Sequence, residues 1–283
     1  MDIFYTVKEL KEALGNLNHD KTSVGFVPTM GALHAGHISL IKNAKQENNI
    51  VVCSIFVNPT QFNDKKDLET YPRTLEEDKK QLINSGCDIL FVPSVKEMYP
   101  DGEQERITID FGYLDKVMEG EMRLGHFEGV ATIVSKLFEM VKPNKAYFGQ
   151  KDFQQLVIIK QLVKMRHLPV EIVSCPIIRE NDGLAMSSRN VKLLPEERKM
   201  AVKIAETLFK IKKIRNQHSF SDLKKLAANE ISKSALLQLE YFEIVNSKTL
   251  MSVESMEEAK EIVACIAVKV GRVRLIDNII LFP

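Results

Sequence analysis

Short apolar runs alternate with helical patterns over the first two-thirds of the chain. The apolar runs predict buried strands at residues 24–27, 50–57, 88–92, 146–148 and 170–174. Helical spacing predicts helices between them at residues 37–48, 74–85 and 153–165, and along an apolar face from Val130 to Val141. Strands that alternate with helices in this way indicate right-handed βαβ units and a parallel sheet covered on both faces.

The pattern changes after Asn190. Pro195 opens a helical stretch that runs to about residue 215, and we expect Ser221 to cap a second helix that has Asp222 in its first turn. Strand-like runs follow at residues 239–245, 261–268 and 273–281. Two helices followed by strands predict a small α+β domain, so the expected domains are residues 1–176 and 177–283.

Composition narrows the functional classes. The 283 residues include 39 Lys and Arg against 38 Asp and Glu, a formal net charge of +1. This balance argues against a nucleic-acid binder that relies on a broad cationic field, although a small anionic ligand needs only a few well-placed groups. The apolar runs are far shorter than the ~20 residues that a membrane helix needs, so we expect no membrane partner.

The cysteines give an expectation about the compartment. Cys53, Cys87, Cys175 and Cys265 lie far apart and show no metal-ligand spacing. We expect them to be buried, reduced thiols. The first residues lack the basic stretch and apolar run of a secretion signal, so the expected location is cytoplasmic.

The most informative segment has the sequence PTMGALHAGH and follows the first predicted strand directly. In an open α/β sheet, ligands bind at the carboxyl ends of strands, and a following helix directs free N–H groups and its positive dipole end toward an anion. Gly31 and Gly36 permit the close approach of a phosphate, and His34 and His37 frame the turn, so both imidazoles can face one ligand. The alternative is that one histidine only caps the helix and the other is only buried.

Two later segments carry chemistry suited to phosphates. After the strand at residues 146–148, Gly149 lets the backbone approach a ligand, Lys151 supplies a point charge, and Asp152 can accept from ribose hydroxyls. Residues 187–189 bring two hydroxyls and a guanidinium into a compact loop that could clamp triphosphate oxygens. A solvated ion pair and a serine-rich linker are the respective alternatives.

Neutral amides are candidates for binding a second substrate. Asn58 and Gln61 follow the second predicted strand, and Gln155 lies in a later helix. Amides recognise hydroxyl and carboxylate groups without titrating, although an isolated amide is more often a solvated surface group. Arg123 and His126 could serve a carboxylate, but a loop that precedes a helix explains them nearly as well.

Three polar residues of the charged helix at 74–85 are metal candidates. Glu77, Asp78 and Gln81 share one face of this helix by their spacing and could hold a metal ion through water. A solvated acidic helix face is an equally good explanation.

These motifs together resemble a known family. The HxGH turn is the signature of the nucleotidyltransferase superfamily, which includes the class I aminoacyl-tRNA synthetases. With FVNPTQF, YPRT, HFEGV, FGQKDFQQL, DGLAMSSRN and the terminal RLIDN, nearly the whole chain resembles the pantothenate synthetase (pantoate–β-alanine ligase) family. Two flanking positions depart from that pattern, since Leu124 stands where the family often has Pro and Gln150 where it often has Glu.

The resemblance implies a Rossmann-like domain, a C-terminal lid domain and a set of site residues. The implied ATP-binding residues are Met30, Gly31, Ala32, Leu33, His34, Ala35, Gly36, His37, Gly149, Gln150, Lys151, Asp152, Ile178, Met186, Ser187, Ser188 and Arg189. Gln61 and Gln155 would hold pantoate, with Asn58 and Arg123 as further substrate-binding candidates. His37 would donate a proton, while His34, Lys151 and Arg189 complete the catalytic set.

The implied reaction uses ATP and Mg²⁺. Pantoate attacks the α-phosphorus of ATP to give pantoyl adenylate and pyrophosphate, and β-alanine then displaces AMP. The family resemblance also suggests a homodimer. The alternatives are a nucleotidyltransferase whose product keeps the nucleotide and a nucleotide-sensing module without activity.

Overall fold

The computed structural model describes residues 1–17, 21–102 and 107–283. The chain divides into two compact units. The first unit contains Met1–Phe111, Gly120–Gly149 and Ile158–Cys175. The second unit contains Gly112–Glu119, Gln150–Val157 and Pro176–Pro283.

The regular elements of the described residues are as follows. The strands are β1 (Asp2–Phe4), β2 (Val24–Thr29), β3 (Ile50–Ile55), β4 (Ile89–Phe91), β5 (Lys145–Gly149), β6 (Glu171–Cys175), β7 (Leu237–Asn246), β8 (Ile262–Val270) and β9 (Val273–Phe282). The helices are α1 (Val7–Gly15), α2 (Ala35–Glu47), α3 (Lys65–Glu69), α4 (Leu75–Asn84), α5 (Val95–Met98), α6 (Glu119–Met122), α7 (His126–Val141), α8 (Phe153–Met165), α9 (Pro195–Ile214) and α10 (Phe220–Ser232). Short 3₁₀ turns lie at Pro59–Gln61, Asn190–Lys192 and Met256–Glu258.

A parallel sheet forms the centre of the first unit. Its six strands run in the order β1-β4-β3-β2-β5-β6, and every paired neighbour is parallel. Phe26 of β2 lies opposite Val52 of β3 on one side and Ala146 of β5 on the other. The strand order therefore reverses at β2, and in open α/β sheets ligands bind beyond the carboxyl ends of strands at such a reversal. The parallel sheet is confirmed, and the histidine turn (residues 30–37) follows β2, one of its two central strands.

Consecutive residues of β2 pack into opposite layers. Val27 belongs to a buried core with Leu40 and Ile41 of α2. Phe26 instead meets the ring of Phe138 from α7 edge-on, with centroids 6.3 Å apart. Because side chains alternate along a strand, α2 and α7 cover opposite faces of the sheet, as the sequence predicts.

The hydrophobic pattern misses β1 and α1. Strand β1 has only three residues, and none of them is fully buried, so it carries no recognisable apolar run. Helix α1 begins with a capping box, in which Glu9 N donates to Thr6 Oγ1 at 3.2 Å and Thr6 N donates to Glu9 Oε2 at 3.1 Å. The sequence Thr-x-x-Glu before an apolar-periodic stretch is a signal that could have revealed this helix.

The second unit contains an antiparallel sheet in the order β7-β8-β9. Leu208 of α9, Leu223 of α10 and Ile266 of β8 meet in its core. The predicted cap of α10 is wrong by two residues: Ser219 Oγ, rather than Ser221, accepts the bond from Asp222 N at 3.1 Å. The helix begins earlier because Phe220, at its first position, is buried in the same core.

A single boundary at residues 176 and 177 does not describe the second unit completely. Glu119 is buried, and its carboxylate accepts two hydrogen bonds from Arg274 of β9, both 2.7 Å long. On the same strand, Asn278 Nδ2 donates to the carbonyls of Gln150 and Lys151. These bonds tie residues 112–119 and 150–157 to the C-terminal sheet, although both segments precede the predicted boundary.

All four cysteines are free and buried, as predicted. Cys53, Cys87 and Cys175 lie in the core of the parallel sheet. Cys265 lies in β8.

Among the helices that the structure describes, none is long and apolar enough to cross a membrane.

Candidate active site

The chain leaves β2 through a tight turn that sets the start of α2. Gly31 has a φ of 76° and Ala32 a φ of 50°, so two consecutive residues adopt the left-handed conformation. A Cβ atom on Gly31 would lie 3.0 Å from Ile55 Cγ2 and 3.1 Å from Asp78 Oδ2. Glycine therefore suits both the conformation and the space. Ala32 adopts its conformation at a cost of about 1 kcal/mol, so other contacts must hold it.

Asp78 of α4 holds this turn. Its buried carboxylate accepts a hydrogen bond from Ala32 N at 2.9 Å and another from Leu33 N at 2.8 Å. Thr74 Oγ1 also donates to Asp78, at 3.2 Å, and Gln81 Nε2 donates to the carbonyl of Leu33 at 3.2 Å. Because hydrogen bonds to a carboxylate are strong, Asp78 offsets the strain at Ala32. No pattern in the sequence signalled this role.

His34 and His37 cap α2 reciprocally. His34 is the N-cap residue, and its Nδ1 accepts from Gly36 N at 3.1 Å. The Nδ1 atom of His37 accepts from His34 N at 3.3 Å. The ring centroids are 4.1 Å apart. Both rings therefore take part in the cap and neither is merely buried, which differs from the alternative considered for the sequence.

These capping bonds also select the tautomer of both rings. A ring nitrogen that accepts from a backbone N–H carries no hydrogen itself, so the neutral rings of His34 and His37 carry their hydrogen on Nε2. Both histidines thus offer an Nε2–H donor beside the N-terminus of α2, where the helix dipole favours negative charge. Such donors suit a group on which negative charge builds up during a reaction.

Asn58 is a buried structural residue. Its side chain is 1% exposed, and Nδ2 donates to Gln61 Oε1 at 3.1 Å and to the carbonyl of Gly129 at 3.2 Å. Its Oδ1 accepts from Thr60 Oγ1 at 3.1 Å and from Tyr99 Oη at 2.8 Å. The structure therefore corrects the expected substrate contact of Asn58, because protein groups already engage both amide hydrogens and the oxygen. Its role is to orient Gln61.

Gln61 adjoins the histidine turn. Its Nε2 donates to Met30 Sδ at 3.1 Å, so the amide predicted to bind substrate contacts the first residue of that turn. The backbone carbonyl of Gln61 lies 2.8 Å from Nδ1 of the buried His126 and accepts a longer bond of 3.4 Å from Arg123 Nη2. Since a carbonyl only accepts, His126 carries hydrogen on Nδ1 and supports Gln61. The expected role of His126 toward a carboxylate stays a prediction. The substrate role of Arg123 stays a prediction.

The three metal candidates differ in their exposure. Glu77 is exposed, whereas Asp78 is 1% exposed and binds backbone N–H groups. Within the described residues, no group of three or more His, Cys, Asp and Glu side chains is arranged to hold a metal ion. Direct ligation does not fit Asp78, and contact through water, with Glu77 and Gln81, stays a prediction.

In the second unit, Gln150, Lys151 and Asp152 precede α8. The side chain of Lys151 is 19% exposed, and its Nζ lies 3.9 Å from Asp152 Oδ1. Asp152 is 52% exposed, so this long ion pair neutralises little of the lysine charge. The arrangement suits a lysine that binds phosphate, as the sequence predicts.

Residues 178–190 form a narrow turn that brings together several predicted nucleotide contacts. Met186 N donates to the carbonyl of Ile178 at 3.0 Å. Arg189 N donates to Ser187 Oγ at 3.2 Å. These four residues are separated by up to eleven positions in the sequence, yet the turn places them in one loop.

An ion pair that no sequence pattern predicted anchors this loop. Arg179 donates to both carboxylate oxygens of Asp277, at 2.6 and 3.0 Å, and to the carbonyl of Gly183 at 3.0 Å. Asp277 is 3% exposed. Burial raises the pKa of Asp277, and the hydrogen bonds from Arg179 oppose that rise. An Asp-Asn pair inside an apolar strand was the signal that could have identified it.

The first turn of α8 contains two glutamines with different surroundings. Gln154 is buried: its Oε1 accepts from Glu119 N at 2.9 Å, and its Nε2 donates to the carbonyls of Leu114 and Val117. Gln155 is only half-buried. Gln154 is thus a structural residue that sequence reasoning passed over, and the substrate role of Gln155 stays a prediction.

Comparison with known sequences shows which family this chain is similar to. The family described as pantoate-beta-alanine ligase matches residues 2–280. The pantothenate synthetase of Bacteroides fragilis (strain YCH46) is 52% identical over 279 residues, which cover 99% of this chain and 98% of that protein. The pantothenate synthetase of Porphyromonas gingivalis (strain W83) is 50% identical over 279 residues and covers 99% of both chains.

Solved structures agree with the sequence comparison. Pantothenate synthetase from Thermus thermophilus matches with a TM-score of 0.94 and 41% identity over 100% of both chains. Pantoate-β-alanine ligase from Francisella tularensis, complexed with β-γ ATP and β-alanine, matches with a TM-score of 0.82 and 39% identity. That match covers 99% of this chain and 98% of the Francisella chain.

Proposed function

The chain belongs to the pantoate–β-alanine ligase family, and from this membership we propose that it condenses pantoate with β-alanine at the expense of ATP. A carboxylate oxygen of pantoate forms a bond to the α-phosphorus while the bond to the β-phosphate oxygen breaks and pyrophosphate leaves. The neutral amine of β-alanine then forms the amide bond, the acyl–oxygen bond breaks, AMP leaves, and the nitrogen releases one proton. The products are pantothenate, AMP and pyrophosphate.

The observation that carries the proposal is the reciprocal cap of His34 and His37 at the carboxyl end of β2. A carboxylate is already a nucleophile, so the enzyme does not need to deprotonate it. Its task is to align two anions and offset their repulsion. We assign this stabilisation to two Nε2–H donors at a helix N-terminus, with His37 as the hydrogen-bond donor toward the phosphates.

Two cationic residues are also part of the proposal. We assign Lys151 to the phosphates as a point charge and Arg189 to the triphosphate oxygens together with Ser187 and Ser188. The proposed ATP-binding set is completed by Met30, Gly31, Ala32, Leu33, Ala35, Gly36, Gly149, Gln150, Asp152, Ile178 and Met186. Gln61, Gln155 and Arg123 are assigned to the organic substrates.

Magnesium enters the proposal with ATP. Mg²⁺ keeps several water ligands when it binds a nucleotide, so contact through water is compatible with an exposed Glu77 and with Gln81. The bound ion would reduce the charge of the triphosphate. Asp78 is assigned to the histidine turn, because its oxygens already accept backbone hydrogen bonds.

Assembly and location complete the proposal. Family membership supports a homodimer, which sedimentation of the purified protein would test. Four free, buried cysteines support a reducing compartment, and we therefore assign the protein to the cytoplasm. The nearly balanced net charge argues against a role in nucleic-acid binding.

The decisive assay contains the purified protein, ATP, Mg²⁺, pantoate and β-alanine, with AMP and pyrophosphate followed separately. We expect equal amounts of both products. Omission of β-alanine should leave pantoate-dependent pyrophosphate formation but sharply reduce AMP release, since the adenylate stays bound. A product that keeps the nucleotide, with no AMP, would instead favour a nucleotidyltransferase, and neither product would favour a sensing module.

Single substitutions test the assignments. His37→Ala and Lys151→Ala should each abolish pantoate-dependent pyrophosphate release while circular dichroism stays that of the wild type. His218→Ala is the matched control, because His218 is an exposed histidine to which the proposal assigns no role. Wild-type pyrophosphate release from either active-site variant would refute its assignment.

A further inference from the structure

The terminal RLIDN motif is not used by the proposed function, yet its asparagine contacts the lysine loop, residues 150–152. Asn278 is 1% exposed. Its Nδ2 donates to the carbonyls of Gln150 and Lys151, both at 2.9 Å, and its Oδ1 accepts from Gln150 Nε2 at 3.3 Å. One buried side chain therefore makes three hydrogen bonds to the two residues that precede Asp152.

The position of Asn278 in β9 is unusual for a strand. Asp277, Asn278 and Ile279 are all buried, so the alternation of buried and half-buried residues breaks at this point. Leu275 and Ile279 belong to the apolar core, and Asn278 points to the opposite face, which it shares with Arg274. Asn is disfavoured in strands, and a buried amide is costly unless it is hydrogen-bonded, so packing alone does not explain this residue.

Asp277 connects the same strand to the loop at residues 178–190, which contains other predicted nucleotide contacts. Its carboxylate holds Arg179, and Arg179 Nη2 also donates to the carbonyl of Asn278 at 3.3 Å. Arg179 forms an antiparallel bridge with Ala185, next to Met186. Two consecutive residues of β9 thus fix the backbone of Lys151 and the base of the loop at residues 178–190.

The anchoring of Lys151 by Asn278 has a consequence for catalysis. A lysine that stabilises phosphate must be placed accurately, and a displacement of about 1 Å can cost about 100-fold in rate. Among the contacts that the structure describes, the lysine loop supplies no comparable anchor of its own, since its ion pair with Asp152 spans 3.9 Å. The bonds from Asn278 to the carbonyls of Gln150 and Lys151 supply it.

We propose that Asn278 is a positioning residue for the ligase reaction, which holds the Lys151 backbone so that the lysine meets the phosphates of ATP. The inference rests on the proposed function, because it assumes that Lys151 binds ATP. It predicts that loss of Asn278 weakens ATP binding through Lys151 and not by general damage to the fold.

The test is a double-mutant cycle on ATP affinity, measured by titration calorimetry with the full-length protein. The four proteins are wild type, Lys151→Ala, Asn278→Ala and the double variant. We expect each single variant to weaken ATP binding by about tenfold or more, and Asn278→Ala to add less than about twofold in the Lys151→Ala background. If the fold-losses in ATP affinity of the two single variants multiply in the double variant, the proposal is overturned, because a merely structural effect of Asn278→Ala would be independent of Lys151.

Asn246→Ala is the matched control. Asn246 is an asparagine of the same unit whose Oδ1 accepts backbone hydrogen bonds from Lys248 N and Thr249 N. Its substitution should lower the thermal midpoint in a similar way but leave ATP affinity within about twofold of the wild type. Equal loss of ATP affinity in Asn246→Ala and Asn278→Ala would contradict the inference.

Asn278→Ser keeps one donor and covers the case in which Asn278→Ala does not fold. It should bind ATP with an affinity between those of the wild type and Asn278→Ala. Failure of both variants to fold would overturn the proposal, since Asn278 would then be needed for the core. Absence of pyrophosphate release by the wild type would refute the proposed function, whereas a normal wild type with an unaffected Asn278→Ala refutes only the positioning role.

Discussion

Asp78 Oδ1 accepts a hydrogen bond from Leu33 N at 2.8 Å, across a separation of 45 residues in the chain. The same carboxylate binds Ala32 N, so it engages two consecutive N–H groups of the histidine turn. Because Ala32 has a positive φ, the turn needs such an anchor. Asp78 thus supports the site by holding the backbone of the histidine turn in place.

Replacement of Asp78 should damage this turn. In Asp78→Asn, one amide N–H₂ group would face a backbone N–H, which leaves a buried donor without an acceptor. We expect a loss of about 2 kcal/mol in the free energy of unfolding and a fall of about 100-fold in pyrophosphate release, because the histidines shift. Urea denaturation and the pyrophosphate assay measure these effects.

Glu77→Gln provides the matched control, since Glu77 is an exposed acid of the same helix. It should change the free energy of unfolding by less than about 0.5 kcal/mol. If Asp78→Asn were as stable as Glu77→Gln and lost activity only at low Mg²⁺, Asp78 would act on the metal and the role in the turn would be wrong.

Gly129 of α7 should not tolerate a side chain. A Cβ atom there would lie 2.5 Å from the carbonyl oxygen of Thr60, a backbone atom that cannot rotate away. We expect Gly129→Ala to displace the Pro59–Gln61 turn, lower stability by about 2 kcal/mol and raise the KM for pantoate. Ser135→Ala, at another buried position of α7, should leave the KM for pantoate unchanged. An unaltered KM in Gly129→Ala would argue against Gln61 as a substrate-binding residue.

The cysteines should be unreactive in the native protein. Burial raises the pKa of the Cys87 thiol to about 12 and raises the pKa values of the Cys53, Cys175 and Cys265 thiols as well. Since the thiolate is the reactive form, a disulfide reagent at pH 8 should modify none of them until the protein is denatured, when all four should react. Rapid modification of the native protein would show that a cysteine becomes exposed.

Glu230 should make stability depend on pH in acid. Hydrogen bonds from Lys210 and then Lys233 lower the pKa of Glu230 to about 2, from an ordinary value of 4.5. The folded state therefore favours the carboxylate, and this contribution is fully present above pH 4.5 and disappears as the pH falls toward 2. Denaturation between these pH values should show a smaller pH dependence in Glu230→Gln than in the wild type. Glu257→Gln, an exposed acid elsewhere in the same unit, is the control.

Local pattern predicted the elements that bury continuous apolar runs. Helix α8 occupies residues 153–165, the range predicted from its spacing, and the strand–helix alternation indicated the parallel sheet. The histidine turn was recognisable because its glycines and cap residues are neighbours in the sequence. In contrast, β1 was missed because three residues that are not fully buried carry no pattern.

Long-range polar contacts account for most of what the sequence could not predict. The bond of Asp78 to Leu33 joins a helix to a distant turn, and the spacing of α4 suggested only an acidic face. Asn58 was expected to meet substrate because it is a neutral amide that follows a predicted strand. Two of its partners, Tyr99 and Gly129, lie 41 and 71 residues away and leave no trace in the local sequence. Such partners become visible only when the chain is folded.

The bond between Glu119 and Arg274, which spans 155 residues, limits how this enzyme can be recombined with its homologues. A chimera joined at residue 177 would inherit Arg274 and Asn278 from one parent, but Glu119 and the Gln150–Lys151 carbonyls from the other. Mismatched partners would leave a partly buried guanidinium without one of its carboxylates, which is a costly defect. Crossovers should therefore transfer residues 112–119 and 150–157 together with residues 177–283.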